Sequence, residues 1–175
     1  MALAGNCGFG ALARLGGDQF GILLSASHLS RNYESENLQG GNIWEEEGDY
    51  FVPEEFVLRD YRLERLRTSL VANLEWRPND NTNLYWRNIW NEFQDTEQRL
   101  ETLYDYRNGD LIDQTPTSGT FTEGEGERAS KDRREKQSIL NTTLGGEFFF
   151  GAWTLEGYYT YGNAEQDTPY DNEYV

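Results

Sequence analysis

Leu70-Val71-Ala72-Asn73-Leu74-Glu75-Trp76, running into Arg77-Pro78-Asn79-Asp80, decides the fold. A second phrase repeats its pattern: Leu140-Asn141-Thr142-Thr143-Leu144-Gly145-Gly146-Glu147-Phe148, then, past Gly151, Trp153-Thr154-Leu155-Glu156-Gly157-Tyr158-Tyr159-Thr160-Tyr161. In each, one alternating set is largely apolar and aromatic, while the other carries Asn, Thr, Glu and Tyr. A strand turns successive side chains to opposite faces, so such a segment divides an apolar environment from a wet one. A soluble sandwich and a transmembrane barrel both suit that pattern. The connections between strands separate the two.

Composition narrows the class. The chain has 175 residues, a net charge of -16 and only 37% hydrophobic residues, values that by themselves suit a disordered chain. Five Trp, eleven Tyr and nine Phe do not, because acidic disordered tracts are poor in aromatics. High polarity with many aromatics, 18 Gly and four Pro is the mixture expected of a barrel with a polar lumen and wet loops. The acidic balance excludes a nucleic-acid partner, since phosphate backbones call for an excess of Lys and Arg. The lone Cys7 cannot close an internal disulfide. No apolar run approaches the roughly 20 residues of a transmembrane helix. Met1-Ala2-Leu3-Ala4-Gly5-Asn6 lacks the basic start of a signal peptide, so for an exported barrel the natural N-terminus is expected to lie outside this chain.

Six strands are expected. They cover about 8–15, 19–31, 60–76, a fourth from Leu84-Tyr85-Trp86, 131–149 and 152–164. Leu23 breaks the alternation of the second, and Ile89, Trp90 and Phe93 blur the facing of the fourth. Gly16-Gly17-Asp18, Arg77 to Asn83 and Phe150-Gly151 read as tight turns. The stretches 32–59 and 91–130 read as long polar connections, with possible strand over 99–106, and 165–175 as a polar segment. Alternation of tight and long connections is how outer-membrane barrels are built. The third and fifth strands also exceed the usual five or six residues of globular sheets. Phe20, Trp76, Trp86, Phe148 and Trp153 gather near the tight-turn ends, as an interfacial girdle would. The fold class is therefore all-β, an antiparallel up-and-down meander of about six long strands forming an open section of a transmembrane barrel. Six strands do not close a barrel of this type, whose smallest members have about eight.

Leu58-Arg59-Asp60-Tyr61 with Arg65 and Arg67, then Leu74-Glu75-Trp76-Arg77-Pro78, resembles the early barrel strands of TonB-dependent outer-membrane receptors. So does Lys131-Asp132-Arg133 leading to Ser138, Leu144-Gly145-Gly146-Glu147 and Trp153-Thr154-Leu155-Glu156-Gly157-Tyr158. The likeness runs from about Gly8 to Pro169 and is nearest to the large receptors of Caulobacter- and Xanthomonas-type bacteria. It implies a partial barrel domain at the cell outer membrane of a Gram-negative bacterium. Its partners would be outer-membrane lipid, lipopolysaccharide and a small-molecule or oligosaccharide ligand. The resemblance also implies uptake of a siderophore, oligosaccharide or similar nutrient, driven by the TonB complex through a plug not visible in this sequence. A soluble all-β sandwich that binds a ligand or carbohydrate is the alternative.

Candidate chemistry is sparse. His28, with Ser25, Ser27 and Ser30 nearby, invites a hydrolase reading, but Ser25 and Ser27 fall on the opposite strand face from the histidine. Glu45, Glu46, Glu47 and Asp49, and separately Glu123, Glu125 and Glu127, lack the spacing of a calcium loop and read as solvated acidic loops. Lys131, Arg133, Arg134 and Lys136 form the one basic cluster, one pair on each strand face, suited to lipid phosphate and lumen or simply to water. Gly145-Gly146 is no phosphate loop, because no helix follows. Trp44, Tyr50, Tyr104 and Tyr106, with Phe51, lie in or beside the long connections, where aromatics either stack on a ligand or pin the loops together. They are the candidate ligand contacts. No catalytic residue, metal site or cofactor is expected.

Overall fold

The computed structural model describes residues 3–41, 44–47 and 50–175, and nearly all of them are strand. Six long strands form one sheet: β1 (Leu3–Leu15), β2 (Phe20–Gly40), β5 (Glu55–Asn79), β6 (Thr82–Asp105), β9 (Glu125–Phe150) and β10 (Trp153–Tyr174). Their order in the sheet is their order in the chain, and every pair is antiparallel. Two short hairpins, β3–β4 (Trp44–Glu47 and Tyr50–Pro53) and β7–β8 (Leu111–Thr115 and Ser118–Phe121), fill the two long connections. The sheet is open, since β1 and β10 each pair on one side only. Among the described residues no helix is long and apolar enough to cross a membrane, which says nothing of strands.

Register assembles the alternating phrases into one surface. Leu70 pairs with Ala26 and Trp90, and Trp90 with Leu140. Two rows along, Leu74 joins Ile22 and Trp86, and Trp86 joins Leu144. Phe9, Ala11 and Ala13 extend these rows onto β1, and Tyr159 extends them onto β10. The fourth long strand, ambiguous in sequence, is thereby fixed: Trp86 and Trp90 share the apolar face, whereas Ile89 and Phe93 look the other way. Asn88 interrupts the two tryptophans on that face, and it is satisfied there. Its amide donates to the Ala72 carbonyl at 3.0 Å, and the Thr142 hydroxyl joins both Asn88 and the Trp86 indole.

The strands outrun their apolar rows. β2, β5, β6, β9 and β10 have 21 to 26 residues, so stretches expected to be loop or polar tail (32–40, 55–59, 91–98, 125–130 and 165–174) are strand, and the possible strand over 99–106 is strand as far as Asp105. Charged and amide residues stand on both faces there, with apolar ones such as Leu38, Phe56, Val57 and Leu100 in no steady phase, so the alternation that marks a strand in sequence is lost while the backbone ladder continues unchanged. On β10 the ladder slips one residue between Asp167 and Tyr170, around Pro169. A proline without an N–H is tolerated at such a bulge on an edge strand.

No conventional core forms. The only buried hydrophobic residues among those described are Val57 and Tyr85. Tyr85 lies over Gly145, where a Cβ would come within 2.4 Å of its ring, so this glycine of β9 makes room for an aromatic. The accessible surface is 12553 Å², against about 8,800 Å² for a folded soluble monomer of this mass. A sandwich would cover its apolar face with a second sheet; here Leu144 is 62% exposed, Trp86 46% and Tyr159 71%.

Candidate functional site

Polarity is inverted across the sheet. On the face opposite Leu144 and Trp86, Asp95 is only 6% exposed. Arg65 Nε donates to it at 2.7 Å, and Arg133 Nη2 lies 3.7 Å from it while donating to Glu97 at 2.9 Å. Further along, Arg59 bonds Glu101 at 2.6 Å, Arg99 bonds Glu173 at 2.6 Å, and Lys131 pairs with Asp171 at 3.0 Å. Arg31 and Arg65 both lie over the Tyr33 ring, at 5.0 and 5.2 Å. These contacts run across β2, β5, β6, β9 and β10 because the register places each cation beside a carboxylate on the same face. Of the basic cluster, Lys131 and Arg133 belong to this network, whereas Arg134 and Lys136 project to the other face, Arg134 bonding Gln94 at 2.8 Å.

At one end of the sheet the three tight turns meet. Arg77 N donates to the Gln19 carbonyl at 2.7 Å and Phe149 N to the Asn81 carbonyl at 2.9 Å. Gly16, Gly17 and Asp18 all hold positive φ, and so does Gly151. Beside them Phe20 and Trp76 stack with centroids 6.0 Å apart.

At the other end the two hairpins enclose a cleft of about 550 Å³. Its aromatic lining is Trp44, Tyr50, Phe51, Phe56, Tyr106 and Phe121. The Trp44 ring lies against Gly40, where a Cβ would approach to 2.6 Å. Tyr106 stacks on Phe121 at 4.8 Å and meets Phe56 edge-on at 6.3 Å. Its backbone N–H donates to the Glu54 carbonyl at 2.8 Å, tying the end of β6 to the start of β5. Thr115, Thr117, Ser118, Thr120 and Thr122 add hydroxyls from β7–β8 and its flanks.

Three of the four aromatic candidates, Trp44, Tyr50 and Tyr106, therefore share one cleft. Tyr104, still within β6 and paired with Phe56, does not line it. Phe56 and Phe121 are members that sequence reasoning missed. The turn-forming run Pro116-Thr117-Ser118-Gly119 was the available signal for the hairpin that delivers Phe121. His28 Nδ1 lies 3.0 Å from the Thr68 hydroxyl, on the opposite face from Ser25 and Ser27. Of the first acidic run, Asp49 and the side chains of Glu45 and Glu47 lie outside the described residues. Among those described, no three His, Cys, Asp or Glu side chains converge on a metal-sized site.

No protein-family model matches the chain, and no curated protein does. Among solved structures it is similar to Clostridium perfringens delta-toxin, at 6% identity and a TM-score of 0.21, over 89% of this chain and 95% of that one. A likeness at that level carries no argument about fold or function.

Proposed function

We propose that the chain is a section of the barrel wall of a TonB-dependent outer-membrane receptor that imports a siderophore, oligosaccharide or similar nutrient. One observation carries the reading: charged side chains are sheltered on one face of the sheet while tryptophans and leucines stand exposed on the other. In water that distribution is unfavourable at about 25 cal/mol for every Å² of apolar surface left wet. Against hydrocarbon it is the expected one, because a membrane barrel is apolar outside and polar within. The self-satisfied Asn88–Thr142–Trp86 group supports the same environment, since lipid offers polar atoms no substitute partner.

In this reading the apolar rows meet outer-membrane lipid and lipopolysaccharide, and the ion-paired face looks onto the lumen. The converging tight turns lie on the periplasmic side and the hairpin cleft outside the cell, where Trp44, Tyr50 and Tyr106 contact the ligand. TonB acts on such receptors through a plug enclosed by the barrel. No catalytic step is part of the reading.

Spin labels placed singly along β5 test it, from Leu70→Cys through Glu75→Cys, in a Cys7→Ser background and in the receptor in its membrane. Accessibility to oxygen should peak at 70, 72 and 74, and accessibility to a water-soluble nickel chelate at 71, 73 and 75. Equal access of the nickel chelate to both sets would remove the membrane reading.

A further inference from the structure

We infer that the hairpin cleft selects a neutral oligosaccharide and rejects anionic ligands such as ferric catecholate or carboxylate chelates. The inference rests on the uptake reading only in taking the tips as the face that meets solute. Trp44, Tyr50 and Phe51, the exposed aromatics of the lining, offer flat apolar surfaces of the kind that stack against the C–H faces of a pyranose ring. The Thr and Ser hydroxyls beside them both donate and accept, as sugar hydroxyls do. Among the described residues the lining holds no Lys, Arg or His, and Glu123 is its one carboxylate. The nearest cation in sequence, Arg107, is already committed. It donates to both Asp105 carboxylate oxygens, at 3.0 and 2.9 Å, and lies 3.9 Å from Glu55. An anion entering the cleft would leave water for a site with no positive partner, which costs far more than transferring a neutral polyol. The volume, about 550 Å³, falls in the range of small-molecule sites.

Intrinsic tryptophan fluorescence of the intact receptor in detergent, titrated with four probes, tests the proposal. Maltohexaose and cellohexaose are neutral, hexagalacturonate is an anionic oligosaccharide of equal length, and a ferric tris-catecholate is the anionic chelate. At least one neutral hexasaccharide should bind, with hexagalacturonate and the chelate at least about tenfold weaker. Trp44→Ala, at an exposed position, should weaken the neutral ligand about tenfold. Glu123→Lys should raise hexagalacturonate affinity severalfold. Tighter binding of either anion, or no binding by both neutral hexasaccharides, overturns the inference. The spin-label result is independent: alternation along β5 with preference for an anion removes the sugar assignment alone. Neutral-sugar binding without alternation keeps that assignment and removes the membrane.

Discussion

Asp95 sits between Arg65 and Arg133 on one face, and Leu144 stands exposed on the other, so charge changes at the two faces should have opposite consequences. In the proposed receptor, Leu144→Arg or Leu70→Arg should destabilise the assembled barrel by about 2–4 kcal/mol if the site lies near the bilayer midplane. Asn73→Arg, on the ion-paired face, should assemble almost normally. Assembly can be followed by the heat-dependent shift in gel mobility, and the reverse ranking would mean the facing is inverted. Asp95→Ala leaves two guanidinium groups without their shared carboxylate. Because both are partly exposed, the expected loss is about 1–3 kcal/mol, read as a lower urea midpoint, with Asp95→Asn in between. Asp105, at the cleft end, is held below its ordinary carboxylate range, first by the Arg107 side-chain hydrogen bond and then by the Arg107 backbone N–H. A carboxyl lowered by folding stabilises the folded state above its unfolded pKa of about 3.9. That contribution is lost as pH falls through and below this value, so the hairpin end should loosen first in acid. Hydrogen exchange of the Arg107 amide against pH would show it, and an amide insensitive to acid would contradict it.

At the level of elements, the apolar rows of β2, β5 and β9 were legible in sequence, because each carries a period of two, interrupted on β2 by Leu23. The outer ends of the same strands, 32–40, 55–59 and 125–130, were not. Arg59 and Glu97 look like loop residues until the register sets each beside a partner on a neighbouring strand, and the partners of Arg65 and Arg133, though both lie in expected strands, are invisible in any single segment. The cleft was half legible. Aromatics in polar stretches drew attention to Trp44, Tyr50 and Tyr106, but only the fold of β7–β8 brings Phe121 against Tyr106. Gly145 shows the same limit: its role depends on Tyr85, which lies across a strand boundary. Gly145→Ala should cost about 1–3 kcal/mol by pushing the ring aside. The penalty should shrink clearly in a Tyr85→Ala background, a coupling that a double-mutant cycle measures. Additive effects would mean that the ring and the glycine do not share the space. Proteolysis reads the elements from outside. Trypsin on intact cells should cut the receptor near the hairpins, for instance at Arg107, and spare Arg77 in the tight-turn end. Cleavage at Arg77 would reverse the orientation.

As a whole molecule, the sheet exposes roughly 3,800 Å² more than a soluble chain of its mass, and both of its lateral edges are unpaired. Open edges recruit other strands, and inside a bilayer each unsatisfied backbone group costs several kcal/mol. Expressed by itself, the 175-residue chain should therefore form inclusion bodies and refold in detergent to β-rich oligomers. A monodisperse, detergent-free monomer with a cooperative melt would sink that expectation. From Leu70 to Glu55 the wall continues for about 50 Å along the strand before it reaches the cleft end. In the proposed orientation this overhang turns capture and passage into two events separated in space and time. A solute arrested at the tips is still a shaft's length from the lipid, and the shaft's charges are already matched with one another, so it offers little to cling to. Escape from the tips, rather than drag along the shaft, then sets the pace, and a tip substitution that lengthens ligand residence should slow uptake in proportion.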